Sequence, residues 1–507
     1  MQDTVLVPRC QIVSTALLVF PSVLASVYGT DWGLYGVGAA IALGTLPATC
    51  ASLNHWQHRG REPDTPEQAP PLLACVASIS FPGTLLRRMK HWMRSSKLCW
   101  PSPVPRSFPM HRKTSLQQGH LALSYALVDF IERHREDILS ILCSMASHRS
   151  VVDEIERSKR VLLHWSMEWY RERPRTVDKM AVFHSSNILL YAYVLYGIIP
   201  SAYVNTIVIR PSIQVQAQSL AIHQLFKAQF DLAVDMAPFS QRAFIDKHQD
   251  ADIVVFTGRY ENAKAVNACF RKALFLFFGS GVNAVVIGPQ FNTSRSLAEV
   301  IQARLFNSGQ DCMCPNVFFV YKDIAKTFIK ALLSTVKSLR LGARSDSAAD
   351  YNPIFYSQVV QETAAYLAEH RKAILHGGRC CPETSIVDPV VLRVDLSTQT
   401  QIPEFFAPVF NLVVYDNPTA LNTWLLSPLR TECSMCLSLF GEPNIHADVY
   451  RYYTVALEHT IFAQEDGNLP FGGYGPKVNY VSWKSQVQGR PLLISREVAH
   501  YFGRRAL

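Results

Sequence analysis

The chain has 507 residues, 49% of them hydrophobic and only 18% charged, with a formal net charge of +9. That length exceeds what a single hydrophobic core organises and divides by size into roughly three or four domain-sized units. Twelve cysteines spread over such a length exclude a small secreted disulfide framework and fit a reducing compartment.

The placement of the positive charge argues against a nucleic-acid binder. Between His55 and Lys113 stand Arg59, Arg61, Arg87, Arg88, Lys90, Arg94, Lys97, Arg106, Arg112 and Lys113 against Glu62, Asp64 and Glu67, so most of the excess lies in one stretch. A basic run directly after an apolar leader is better matched by anionic lipid headgroups than by phosphodiesters.

The leader opens the chain. From Gln11 to Tyr28 it is almost wholly apolar, and a second run extends from Trp32 to Leu53. Each approaches the roughly 20 residues that cross a bilayer as a helix. Residues 1–57 are therefore read as a membrane-anchoring hairpin with Trp32, Tyr35 and Trp56 as interfacial anchors, a cleaved signal peptide being the competing reading. Residues 58–113 follow as a basic, Pro-rich linker. Within it Phe81 to Arg94 spaces basic and apolar residues as a helix lying in the membrane surface would, or as a basic linker would carry them. The positive-inside tendency then places the rest of the chain on the cytoplasmic face of a membrane, with lipid as a partner.

From Leu116 to about Arg171, apolar residues recur at spacings of three and four, which predicts two or three helices. Short apolar strands then alternate with helical stretches: Ile207 to Ile209, Ile253 to Phe256, Ala284 to Ile287 and Val317 to Val320. Such alternation predicts an α/β fold with parallel sheets covered by helices. Cys433 and Cys436 have the spacing of half a zinc site, but no second pair completes it; Cys436 to Phe440 reads as a buried strand, and no metal site is expected.

The segment Phe306 to Pro315, with Gly309-Gln310 ahead of Cys312, resembles the nucleophile motif of the aldehyde dehydrogenase superfamily. Companions follow the family's order: Asn187, 23 residues before Arg210-Pro211-Ser212; Asp252 to Gly258; Gly377-Gly378 with Pro389 to Leu392; Glu404 to Val409; and Leu469 to Gly473. The resemblance spans roughly Leu116 to the C-terminus. It implies an aldehyde-dehydrogenase-like architecture with a Rossmann-like cofactor domain at 114–270, a catalytic α/β domain at 271–455 and a C-terminal arm closing the site at 456–507. It further implies oxidation of an aldehyde to the carboxylic acid through a Cys312 thiohemiacetal and thioester, with NAD or NADP as acceptor; the membrane anchor makes a lipophilic aldehyde the expected substrate.

By the same resemblance Cys312 is the nucleophile and Asn187 the oxyanion donor, while Arg210, Ser212, Gly258, Glu404 and Phe406 bind the cofactor. The oxyanion would be steadied by the Asn187 amide and the Cys312 backbone N–H. Ile213 replaces an acid that in the family meets the adenosine ribose, which with Arg210 makes NADP plausible beside NAD. Ala263 stands where the family's cofactor loop has its second glycine.

The largest departure is Phe277, at the position of the family's general base. Three outcomes follow: another carboxylate such as Glu465 or Glu261 serves instead; the thioester passes to coenzyme A or forms from an acyl thioester, as in an acylating dehydrogenase; or the chain is a catalytically impaired, membrane-tethered binding protein. His184 is either an aid to proton transfer or a hydrogen-bonded structural histidine, and Cys314 is a packed thiol or a disulfide partner of Cys312. The family's oligomerisation hairpin is not located in the sequence, which leaves a homodimer open.

Overall fold

The computed structural model describes residues 116–395 and 402–506. The expected membrane hairpin at 1–57 and the interfacial segment at 58–113 lie outside the described residues. Among the described residues, no helix is long and apolar enough to cross a membrane.

Among the described residues three helices come first, α1 (Leu116–Arg133), α2 (Arg135–Leu142) and α3 (His148–Glu172), as the apolar spacing predicts. Ser147 caps α3 by accepting from the Ser150 N–H, and Arg173 ends it in the left-handed conformation. Strands β1 (Val177–Phe183), β2 (Val204–Arg210), β3 (Val234–Met236), β4 (Ile253–Thr257) and β5 (Leu274–Phe278) then form a parallel sheet. Alternation along β1 sends Met180 and Val182 to one core and Ala181 and Phe183 to another on the opposite face. A strand buried on both faces has no polar side, which is why it reads as a continuous apolar run.

A second sheet contains β6 (Asn283–Ile287), β7 (Pro315–Tyr321), β8 (Ile374–His376), β11 (Val390–Val394), β12 (Val409–Tyr415), β13 (Cys436–Phe440) and β14 (Thr454–Leu457). A small hairpin of β9 (Cys380–Cys381) and β10 (Ile386–Val387) stands apart from it. The pairings are parallel except at the edge strand β8. Its two faces again bury alternate residues: Val317 and Phe319 of β7 enter one core, Phe318 and Val320 the other.

The sheets do not divide where the sequence reading placed the boundary at residue 270. Strand β5 belongs to the first sheet, and β15 (Asn479–Trp483) and β16 (Gln486–Gln488) return to it antiparallel from the segment read as a closing arm. The physical reason is the free edge of β5, whose backbone groups require a partner when they are buried. The first sheet runs in the order β16-β15-β5-β4-β1-β2-β3, so after β1, β2 and β3 the chain returns to add β4 and β5 on the other side of β1, and the strand order reverses between β1 and β4 while the strands stay parallel. In open α/β sheets such a switch point opens a crevice at the carboxyl ends of the strands.

Candidate active site

At that crevice a cavity of about 1080 Å³ is lined by the ends of first-sheet strands on one side and by the loops carrying residues 306–313 and 404–406 on the other. All seven residues singled out from the sequence, Asn187, Arg210, Ser212, Gly258, Cys312, Glu404 and Phe406, line it.

The loop before Cys312 has its shape written into its residue types. Asn307 and Ser308 adopt positive φ, and Gly309 follows at φ +86°. A Cβ at Gly309 would stand 2.6 Å from the Ala407 carbonyl, so only glycine fits. Asn307 accepts from the Ser147 N–H through Oδ1 at 3.0 Å, Ser308 Oγ accepts from the Asn352 N–H at 2.8 Å, and Gln310 accepts from the Phe355 N–H at 2.8 Å. The fully buried Arg304 donates to the carbonyls of Gly309 (2.7 Å), Pro315 (2.8 Å) and Phe405 (3.0 Å), tying this loop to the one that carries Glu404. Asn283 holds the Cys312 carbonyl at 2.6 Å.

The Cys312 thiol is partly exposed to the cavity. Burial, and then the nearby Asp311, Glu404, Cys436 and Cys314, hold its pKa well above that of an ordinary thiol. Deprotonation therefore needs a base or a bound positive charge. Cys314, pushed up to about 12 by burial, is packed with its Sγ toward the Phe306 carbonyl.

Asn187 follows β1. Its Oδ1 accepts from Ser185 Oγ at 2.6 Å, and among the described residues its Nδ2 has no protein acceptor. This assigns the amide N–H groups to the cavity, where they can meet a developing oxyanion. Glu404 accepts from Ser280 Oγ through Oε2 at 2.8 Å, while Oε1 is buried without a hydrogen-bond partner. Burial pushes its carboxyl up to about 7, against the opposing pull of Ser280, Arg304 and Arg259.

At the other end Arg210 closes β2, its Nε donating to the Phe239 carbonyl at 3.1 Å, and Ser212 stands beyond it. Ile213 is 81% exposed. Gly258 follows β4 at φ +139° and leads into the helix Tyr260–Asn267; a Cβ on Gly258 would press on the Phe256 ring at 3.3 Å. Helix N–H groups, a glycine turn and an arginine at a sheet switch point together suit a dinucleotide.

Side-chain direction decides the two positions at which the chain departs from the family pattern. Ala263 does not crowd this turn: its methyl is fully buried in the core beneath the helix, away from the cavity. The Phe277 ring is fully buried against Phe256, Tyr260 and Tyr480, at centroid distances of 6.4, 6.3 and 5.1 Å. Its neighbour Phe278 lines the cavity instead, 5.3 Å from the Tyr196 ring. A phenyl group gains about 2–3 kcal/mol by leaving water, which favours the core-facing placement.

Of the proposed substitute acids, Glu261 lies exposed at the rim in the first turn of its helix. Glu465 is buried beside the cavity but occupied, accepting from Arg157 at 2.5 Å and from the Tyr191 hydroxyl at 2.6 Å. His184 is buried; burial lowers it to about 4, against the opposing pull of a backbone hydrogen bond with Ser185, and keeps it neutral. Ser280, Arg157, Tyr191, Glu154 and Asp311 also line the cavity and were given no role in the sequence reading. Arg157 and Glu465 are 308 residues apart, and no local pattern announces such a pair.

The sequence profile of the aldehyde dehydrogenase family matches residues 191–423. A 2-aminomuconic 6-semialdehyde dehydrogenase from a Pseudomonas species is 23% identical over 232 residues, 42% of this chain and 47% of that protein. The 4,4'-diapolycopene-4,4'-dial dehydrogenase of Cytobacillus firmus is 21% identical over 44% of this chain and 50% of its own length. The chain thus spans about half the length of the first curated relatives it matches. The beta-apo-4'-carotenal oxygenase of Neurospora crassa aligns further, at 23% identity over 81% of this chain and 77% of that protein. Among solved structures, glyceraldehyde-3-phosphate dehydrogenase GapN from Methanocaldococcus jannaschii, complexed with NADP, superposes with a TM-score of 0.63 at 17% identity, covering 76% of this chain and 88% of that one. A Mycobacterium tuberculosis aldehyde dehydrogenase complexed with NAD+ gives 0.63 at 16% identity over 76% of this chain and 84% of that one.

Proposed function

We propose, from the premise that this chain belongs to the aldehyde dehydrogenase superfamily, that it oxidises an aldehyde to the carboxylic acid with NAD or NADP. The observation that carries this reading is the meeting of a partly exposed Cys312 thiol, an amide of Asn187 with free N–H groups, and a glycine turn at a sheet switch point, all on one cavity.

The Cys312 sulfur adds to the aldehyde carbon, and the carbonyl oxygen becomes an oxyanion held by Asn187 Nδ2 and the Cys312 backbone N–H. The dinucleotide would supply the hydride acceptor when bound, Gly258 and Arg210 being the residues that would hold its phosphates and Glu404 and Phe406 those that would hold its nicotinamide end. Hydride departure leaves an acyl thioester on Cys312, and water releases the acid. The related carotenal and diapolycopenedial enzymes, together with the apolar leader, support a lipophilic aldehyde as substrate.

The test is reduction of NAD and NADP by the full chain against a series of aldehydes of increasing chain length. Turnover rising with chain length and lost in Cys312→Ala is expected. No turnover with any aldehyde, with no covalent labelling of Cys312 by an aldehyde-mimicking electrophile, would sink the reading. Arg210→Gln is expected to lower the NADP-to-NAD ratio of kcat/KM by about tenfold, since one charge contact to a phosphate is removed.

One observation favours a second reading, an acylating dehydrogenase: residue 277 offers the thioester no base for water. Coenzyme A added to the assay would then divert the product to an acyl thioester. The leader supports anchoring at a membrane with the catalytic part on the cytoplasmic side; loss of membrane sedimentation on removal of residues 1–57 is the corresponding outcome.

A further inference from the structure

Helix α3 turns one flank to the cavity and the other to solvent. Its inner side supplies Asp153, Glu154, Arg157 and Glu168 to the cavity lining. On its outer side Leu163, Met167 and Tyr170 follow helical spacing, so they share one face, and all three are exposed, Met167 to 61%. Helix α1 runs antiparallel beside it: Lys159 donates to Glu132 at 2.7 Å, Arg135 to Glu156 at 2.8 Å, and Trp165 to Ser124. That register sets the exposed Leu121 and Tyr125 of α1 alongside the last turns of α3. Apolar and aromatic side chains thus meet water over two adjacent helices, which marks an interaction surface.

The same end of the molecule is cationic. The C-terminal segment crosses the exit of α3, where the Arg175 N–H donates to the Gly503 carbonyl at 3.0 Å and the Arg505 N–H to the Arg173 carbonyl at 2.8 Å. The Arg505 guanidinium lies 5.0 Å from the Trp169 ring centroid. Arg171, Arg173, Arg175, Arg504 and Arg505 therefore gather there, and Arg160 is exposed farther along α3. The acids among them are the buried Glu172, which takes Arg171 at 2.6 Å and Arg504 at 3.9 Å, and the exposed Asp178, which holds Asn205.

Two further observations identify what meets this surface. Leu116 opens α1, so the chain that carries the basic stretch and the apolar leader joins the described fold at this end. Arg171 also donates to the Asn468 carbonyl at 2.5 Å, and the next residue, Leu469, is exposed and lines the cavity. Resting on the reading of the leader as a membrane anchor, we propose that the outer face of α1 and α3, with the arginines at its end, docks on an anionic lipid bilayer and brings the cavity rim at Leu469 to it.

Tyr125, Met167 and Tyr170 enter the headgroup layer, where amphipathic side chains are favoured, and the arginines meet lipid phosphates. Each cation held near such a surface strengthens binding by about fivefold. A second copy of this chain is a poorer occupant, because a two-fold pairing of this face sets arginine against arginine. A lipophilic aldehyde dissolved in the bilayer then reaches the rim without crossing water.

The experiment is hydroxyl-radical footprinting of the full chain, reconstituted in vesicles of neutral phosphatidylcholine and in vesicles that also contain phosphatidylserine, read by mass spectrometry. Oxidation of Tyr125, Met167 and Tyr170 is expected to be slower by about fivefold or more on the anionic vesicles. Tyr450, exposed just ahead of β14, is expected to be unchanged and serves as the reference. Arg160→Glu with Arg175→Glu is expected to lose the protection while still sedimenting with both kinds of vesicle, because the leader holds it there. The milder pair Arg160→Gln with Arg175→Gln is expected to lie between, so the charge dependence is read even if the reversal disturbs folding.

Equal oxidation of the three residues on both kinds of vesicle, by a chain that sediments with them, overturns the docking and leaves the anchoring reading intact. Protection that appears on neutral vesicles and grows with protein density assigns the face to a second copy and overturns it likewise. A full chain that sediments with neither kind of vesicle removes the anchoring reading and the docking together.

Discussion

At the scale of single residues, chemistry depends on which way a side chain points as much as on what it is. At Asn187, Ser185 occupies the carbonyl oxygen and leaves the amide N–H groups toward the cavity, as the proposed oxyanion role requires. Asn187→Ala is expected to lower kcat by about 10²–10³-fold with little change in KM, since an oxyanion donor acts on charge that develops only in the transition state. A KM rise with kcat preserved would assign Asn187 to substrate binding instead. Cys312 and Asn187 were singled out by resemblance to a family's motifs, and the structure places both on the cavity, whereas the outward turn of Phe278 and the inward turn of Phe277 were not legible. Strand alternation says that neighbours face opposite ways, but which face is the core depends on Tyr480, two hundred residues later.

At the scale of elements, the nucleophile loop is held by its neighbours rather than by its own propensity. Three residues in succession have positive φ, a conformation that costs free energy and persists where surrounding hydrogen bonds over-determine it. Arg304 supplies three of those bonds, to Gly309, Pro315 and Phe405. Replacing it with methionine leaves buried carbonyls unmet at about 1–3 kcal/mol each. Arg304→Met is expected to lower the urea midpoint and slow Cys312 labelling together; unchanged labelling in a destabilised variant would show that the loop holds itself. The pair of Arg157 on α3 and Glu465 works similarly between distant segments, with side chains 9% and 5% exposed. Removing the acid alone, as in Glu465→Ala, is expected to cost about 3–5 kcal/mol in urea unfolding, because Arg157 then keeps only Asp153 and the Phe462 carbonyl.

At the scale of the whole molecule, buried ionisable groups set how stability varies with pH. Burial raises Glu154 and Glu404 to about 7 and Asp311 to about 6. A carboxyl raised on folding binds more protons folded than unfolded, so its contribution is full below its unfolded value of about 4 and is lost as pH rises through the folded one. His184, lowered to about 4, acts in the reverse sense, its contribution being lost as pH falls from about 6.5. The two trends oppose each other in acid, and only the carboxyls remain above about 6.5. Stability is therefore expected to fall between about pH 6.5 and 8, and Glu154→Gln, which retains an oxygen for the Leu190 and Tyr191 N–H groups, is expected to flatten the fall. Urea midpoints that rise across that window would contradict the placement of these acids.

The same scale separates what each level of description fixed. The glycine at 309 and the cysteine at 312 were legible through their resemblance to a family motif, whereas local information sufficed for the alternation of strands and helices and for the helices from Leu116 to Glu172. Those depend on periodicity and backbone conformation, which neighbouring residues carry. Only the tertiary structure decided that β15 and β16 complete the first sheet, that Phe277 leaves the cavity, and that Glu404 keeps one oxygen free while Glu465 does not. Each of those outcomes rests on contacts between residues hundreds of positions apart, and burial and pairing across such distances are set by packing, on which the local sequence is silent.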